Sequence, residues 1–184
     1  MGLFNRDPLK KIFADYNRED HEDIFETAKL ISGNDPGIVK AVGSAIDDPI
    51  KYVKENAERY SERGICLDDP DSYDELDADE FLFLGMLDEL EEHGFAFEFD
   101  WKCELEDFLW GLEQTNNYSL IEDVIKTVEL NEEDDIEVWS KAINEALGDN
   151  AKLIYINIDS DSYPVAIVTT DTLGKIPIPM VMAM

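Results

Sequence analysis

The stretch FLFLGMLDELEEHGFAFEFDWKCELEDFLWGL, residues 81–112, decides the fold. Phe83, Leu87 and Leu90, with Met86 beside them, recur at helical spacing, so its first part predicts a helix beginning near Asp77 or Asp79. The polar end of that helix, DELEEHG, closes on Gly94, a residue type suited to the left-handed conformation of a helix C-cap. The period then changes from 3.6 to 2. Phe95, Phe97, Phe99 and Trp101 fall on one face, with Ala96, Glu98 and Asp100 on the other, which predicts a half-buried strand with an aromatic inner face. From Cys103 the spacing is helical again, with Leu105, Phe108, Leu109 and Leu112 at i, i+3, i+4 and i+7. Five of the nine phenylalanines and two of the three tryptophans lie between Phe83 and Trp110, so this unit is expected to supply the aromatic core, Trp101 and Trp110 included.

Working outward toward the N-terminus, the chain reads as an array of helices. A short basic helix over 8–18 follows Asp7 and Pro8, which suit the N-cap and first helical positions. A second covers 20–31, and Gly33-Asn34-Asp35-Pro36-Gly37 breaks the chain. A third covers 38–46, and a fourth starts at Asp48-Pro49 and runs to about Arg63, where Gly64 stops it. Residues 64–67 suggest a short strand. Residues 68–78, DDPDSYDELDA, form an acidic loop with the composition of a calcium loop but without its residue order or its terminal glutamate, so a solvated loop is expected.

Toward the C-terminus, Ser119 and Glu122 have capping-box spacing and open a helix to about Leu130. Another helix carries Ile136, Trp139, Ile143 and Leu147 inward and stops at Gly148. LIYINI (153–158) and YPVAIVTT (163–170) are rich in β-branched residues and joined by DSDS, which predicts a β-hairpin, with Pro164 at a strand start or an edge. The result is one α+β domain over 1–184, a helical part at 1–63 and a strand and helix core at 64–184. Its helices are expected on one side of a mostly antiparallel sheet with strands near 95–101, 152–158 and 163–170. The last segment, KIPIPMVMAM (175–184), reads as an edge strand, a strap over the core, or a surface that joins two copies as a homodimer.

Charge narrows the partners. Forty-four acidic against 15 basic residues give a net charge of −29, which disfavours direct binding to nucleic acid or to an anionic membrane surface. No lysine or arginine lies between Arg63 and Lys102, while carboxylates crowd Asp68 to Glu92. Solvation, capture of a basic protein partner and adaptation to high salt all account for such acidity, the eleven lysines weighing against the last. Two cysteines do not make a disulfide scaffold. The first residues, MGLFNRDPLKKIF, lack a signal-peptide core and no apolar run reaches membrane-spanning length, so the expected location is the cytoplasm.

Chemistry-bearing residues are few. His21 sits in a surface-like run, EDHED, and His93 in a last helical turn, where a cation is favoured. Neither has metal-ligand spacing to another histidine or cysteine, and no metal or cofactor is expected. Cys103 with His93 is a conceivable nucleophilic pair, with a buried structural thiol as the simpler reading. Glu98, Asp100, Glu104 and Asp107 could bind an ion or do acid–base work, or be an outward strand face and an acidic first helical turn. Phosphate-loop, dinucleotide, nucleophile-elbow and zinc-protease motifs are absent.

The segments EEHGFAFEFDWKCELEDFLWGLEQ (91–114) and LIYINIDSDSYPVAIV (153–168) resemble the signature segments of a bacterial family known only as a domain of unknown function. The resemblance implies a bacterial cytosolic protein of this size and carries no activity. By size and charge alone the chain is also similar to immunity proteins that neutralise basic nuclease toxins. Two functions are therefore expected. The first is a non-enzymatic, immunity- or inhibitor-like module that engages a basic protein through Asp68, Asp69, Asp71, Asp74, Glu98 and Asp100. The alternative is a metal-dependent or carboxylate-based hydrolase using Glu98, Asp100, Glu104 and His93.

Overall fold

Helices begin where an acidic side chain can receive the free amides of a first turn. In the computed structural model, which describes residues 7–73, 76–158, 160–177 and 181–183, α1 (Leu9–Ile12) and α2 (Glu22–Ile31) come first. Asp35 then accepts from the amides of Gly37 at 2.8 Å and Ile38 at 3.2 Å to start α3 (Pro36–Asp47). Asp48 does the same for α4 (Pro49–Glu55), which is followed by α5 (Ala57–Glu62). Asp77 and Glu80 form a reciprocal capping box at the start of α6 (Ala78–Glu92). After α6, Gly94 turns the chain at φ +74° into β1 (Ala96–Asp100), and α7 (Leu105–Glu113) returns over the strand. The short α8 (Glu122–Ile125) leads to α9 (Ile136–Leu147), capped by Asp135 and closed by Gly148 at φ +60°. The chain ends in β2 (Ala151–Ile156), β3 (Ser162–Thr169), α10 (Thr170–Leu173) and β4 (Val181–Ala183).

The sheet has the order β1-β3-β2-β4 and every pairing is antiparallel. The expected hairpin is present, with Leu153 opposite Ile167 and Ile154 opposite Ala166. Pro164 lies opposite Glu98 of β1, before β2 joins the ladder at Val165, so its missing amide interrupts only the start of the strand. Of the readings for 175–184, the described part shows an edge strand, with Val181 opposite Ile156.

Helices cover both faces of this sheet, not one. On the first face Ala96, Ile154, Ile156, Ala166 and Val168 pack with Ile38, Ile46, Leu87 and Leu90 of α3 and α6. On the second, Phe99, Leu153, Val165 and Ile167 pack with Phe108 and Leu112 of α7 and Trp139 and Ile143 of α9. The physical reason is that β2 and β3 are apolar at both parities, so neither side can face water. An aromatic row runs through the second core: Phe97 to Phe99 at 4.8 Å, Phe99 to Phe108 at 5.0 Å and Phe108 to Trp139 at 5.5 Å.

Several local expectations are corrected. Trp101 and Trp110 are not core residues; they are 51% and 55% exposed. Trp101 lies just past β1, where the chain turns, and Trp110 sits on the outer side of α7, its ring edge-on to Phe97 at 5.7 Å. His21 is buried rather than surface-like: its ring stacks on Tyr16 at 4.6 Å and its Nδ1 lies 2.8 Å from Asp79 Oδ1. The helix expected over 8–18 is only the single turn of α1, and a 3-10 turn at Arg18–His21 precedes α2. The helix expected to run unbroken from Asp48 to Arg63 is interrupted at Asn56, whose amide donates to Tyr52 O at 2.9 Å. Residues 64–67 form turns, and the Ile65 amide bonds back to Tyr60 O at 2.8 Å. Ser119 and Glu122 make no capping box; Asn117 instead ties this segment to β3 by donating to Ile167 O at 2.8 Å. Among the described residues no helix is long and apolar enough to cross a membrane.

Candidate functional site

The break at Asn56 sets α5 against α6 with Arg59 and Arg63, one helical turn apart, facing the acidic end of α6. Asp88, Glu89, Glu91 and Glu92 lie on that end, at spacings that place them over one another on adjacent turns. Arg59 binds Glu89 at 2.7 Å and also reaches Glu92. Glu89 is 5% exposed, and Tyr52 donates to its Oε1 at 2.7 Å, so this buried carboxylate is fully engaged. Tyr60 fixes the two helices from below by donating to Phe81 O at 2.9 Å.

Arg63 sits at the centre. Its Nε and one Nη approach the same oxygen of Asp88, Oδ1, at 2.8 and 2.6 Å. The guanidinium also meets Glu98 Oε2 of β1 at 3.0 Å and Glu91 Oε2 at 3.3 Å. Glu98 projects to the first face of the sheet, where its other oxygen receives the hydroxyl of Ser162. Burial pushes the carboxyl of Glu91 up to about 7, with the neighbouring Glu98 adding to the shift against the pull of Arg63. Asp88 is raised as well, by burial above all.

These groups wall a cleft of about 980 Å³. Six carboxylates, of Glu62, Asp71, Asp88, Glu91, Glu92 and Glu98, line it against two guanidiniums, of Arg59 and Arg63. Ile65, Leu84 and Ile158 supply an apolar lining between them. Such a surface favours a cation with an apolar stem: the carboxylates attract the charge and the aliphatic residues accept methylenes.

The residues expected to act together are dispersed. Asp71 and Glu98 line the cleft, whereas Asp68 belongs to a separate depression beside Lys54 and Tyr73. Asp69 is exposed and holds the amide of Asp71 at 3.3 Å; Asp74 lies outside the described residues. Asp100 is exposed and accepts from the Lys102 amide at 2.7 Å, a turn-forming role. Glu104 lines a third depression with Trp101 and Trp139, and Asp107 lies in the first turn of α7. Glu98, Asp100, Glu104 and Asp107 therefore do not converge. Cys103 packs with the second core and burial pushes its thiol up to about 11, so it is held protonated; His93 instead donates from Nδ1 to Glu89 O at 2.9 Å.

Arg59, Arg63, Asp88 and Glu91 were not singled out from sequence. Two signals pointed to them: the i, i+4 arginine pair that ends the helical half, and the carboxylates repeated at 88 and 91 on a helix otherwise apolar at 84, 87 and 90. Residues 23–177 match the model of a family described as Domain of unknown function (DUF6630). No curated protein and no solved structure matches the chain.

Proposed function

The chain belongs to the DUF6630 family, a label that specifies no activity, and from its geometry we propose that it is a non-enzymatic binding module whose acidic cleft engages a basic protein partner. The observation that carries this reading is the excess of carboxylates over guanidiniums around an apolar lining at the meeting of α5, α6 and β1. The partner seats a lysine or arginine there, while the exposed Asp68 and Asp69 steer its approach. The setting is that of a bacterial cytoplasmic protein acting as an immunity protein or inhibitor does, by covering a basic surface. Both cysteines are free, as a reducing compartment requires.

The test is a pull-down from lysate at low and high salt, followed by binding kinetics with the captured basic protein. Glu98→Gln with Asp71→Asn should raise the dissociation rate, and Asp68→Asn with Asp69→Asn should lower the association rate and its salt dependence. Retention of no basic protein at high salt, or kinetics untouched by the cleft variants, refutes the reading.

A second contact rests on β4. Among the described residues this edge strand pairs on one side only, with β2, and we propose that two copies join through 175–184. Truncation after Gly174 should then convert a dimeric mass in sedimentation to a monomeric one; an unchanged mass refutes it.

A further inference from the structure

The carboxylates around Arg63 outnumber the donors that reach them. Nε and Nη2 of Arg63 both go to Asp88 Oδ1, which leaves Oδ2 buried with no hydrogen-bond partner among the described residues. That side chain is only 9% exposed, lines the cleft, and so keeps a buried anionic oxygen without a donor. Glu91 and Glu98 complete the ring. The other charged groups facing them give little relief: Arg59 is committed to Glu89 and Glu92, and Glu62 and Asp71 on the cleft wall add negative charge. Burial and mutual repulsion on one guanidinium therefore oppose full ionisation of Asp88 and Glu91.

We propose that the cleft exchanges a proton for a cation: when empty, Asp88 and Glu91 share one proton beside Arg63 and Glu98, and the ammonium or guanidinium of a partner's lysine or arginine displaces it into solvent. This rests on the reading of the cleft as the seat of a basic side chain and adds what its entry does. The balance closes. With one proton bound, the three carboxylates and Arg63 carry a formal net charge of −1, and replacing that proton by one cationic side chain leaves the same charge. The upward shift of the Glu91 carboxyl to about 7 sets the exchange at neutral pH. The apolar lining from Ile65, Leu84 and Ile158 accommodates the stem behind the incoming charge.

The experiment is calorimetric titration of the full chain with hexa-arginine in phosphate and in Tris, whose ionisation enthalpies differ. At pH 7 about half a proton should be released per peptide bound, falling to none at pH 9. Glu91→Gln, whatever it costs in affinity, should lose the release in the binding that remains. Binding with the same enthalpy in both buffers overturns the exchange and leaves the cleft reading standing; absence of binding overturns both. Release that persists in Glu91→Gln also overturns it, because the proton then comes from elsewhere. Carbon-detected NMR titration of Glu91 in the free chain gives an independent check: a midpoint near 7 is expected, and an ordinary carboxylate midpoint refutes the shared proton.

Discussion

Gly111 is where α7 meets the sheet, and replacing it by alanine sets two effects of opposite sign against each other. Within a helix, alanine is favoured over glycine by about 1 kcal/mol, because glycine loses more backbone freedom on folding. At this position, however, a Cβ would lie 2.3 Å from Phe99 Cε1, 2.7 Å from Phe99 Cζ and 2.9 Å from Phe97 Cδ1. Phe99 is 3% exposed and wedged between Phe97 and Phe108, and Phe108 rests on Trp139, so its ring has nowhere to swing. Overpacking a filled core costs about 1–3 kcal/mol, and contacts this short on two rings call for the upper end. Gly111→Ala should therefore destabilise the chain by about 1–2 kcal/mol net. Gly43 in α3 is the counter-experiment, since a Cβ there meets only Phe25 Cε2, at an ordinary 3.5 Å. Gly43→Ala should stabilise by about 0.5–1 kcal/mol. Urea unfolding followed by circular dichroism gives both values from the midpoints at constant slope. If Gly111→Ala is as stabilising as Gly43→Ala, α7 does not sit on Phe97 and Phe99 as described.

Three further perturbations probe the cleft and the helix that carries it. The folded chain holds the Glu91 proton to about 7 against an ordinary 4.5, so stability is greatest below the lower value and falls as pH rises through the upper one. Glu91→Gln should flatten that fall and be more stable than the parent by about 1–2 kcal/mol at pH 8, measured by denaturation across the pH range; a difference independent of pH contradicts the shift. Arg63→Met leaves Asp88, Glu91 and Glu98 without their shared cation and should cost about 3–4 kcal/mol at pH 8, less at pH 5; a loss equal at both pH values means the carboxylates do not repel as placed. Asp77→Ala removes the capping box of α6 and should cost about 1 kcal/mol of stability, seen as a lower thermal unfolding midpoint, while an unchanged midpoint shows the cap to be idle.

What the sequence disclosed depended on range. The unit from α6 through α7 was legible because period, cap and stop agree within a few residues: Asp77 and Gly94 bound the helix and the alternation after it marks the strand, although Phe95, which precedes β1, packs in the first core and not beside Phe97 and Phe99 as its spacing suggested. The hairpin of β2 and β3 followed from β-branched runs around a polar turn. The exposure of Trp101 and Trp110 was not legible, since a tryptophan at a strand end or on a helix flank depends on what packs there, not on its own period. Nor was the ring around Arg63, which joins residues 35, 28 and 25 positions apart at Glu98, Glu91 and Asp88. The acidic loop at 68–74 drew attention by density of charge, whereas the better-built site lies where charges are buried and face one another, and burial is a tertiary property.

The alternation of β3 has a consequence for which changes in length the chain tolerates. Val165 and Ile167 line one core and Ala166 and Val168 the other. A single residue inserted within that strand would exchange the two sets past the point of insertion, putting alanine where a filled core expects isoleucine and crowding the opposite side with the surplus. Both halves of the molecule would be lost at one stroke. The same insertion among the exposed residues 131–135 would only lengthen a surface connection. Length can thus vary around the rim of this protein, while its third strand admits neither a gain nor a loss.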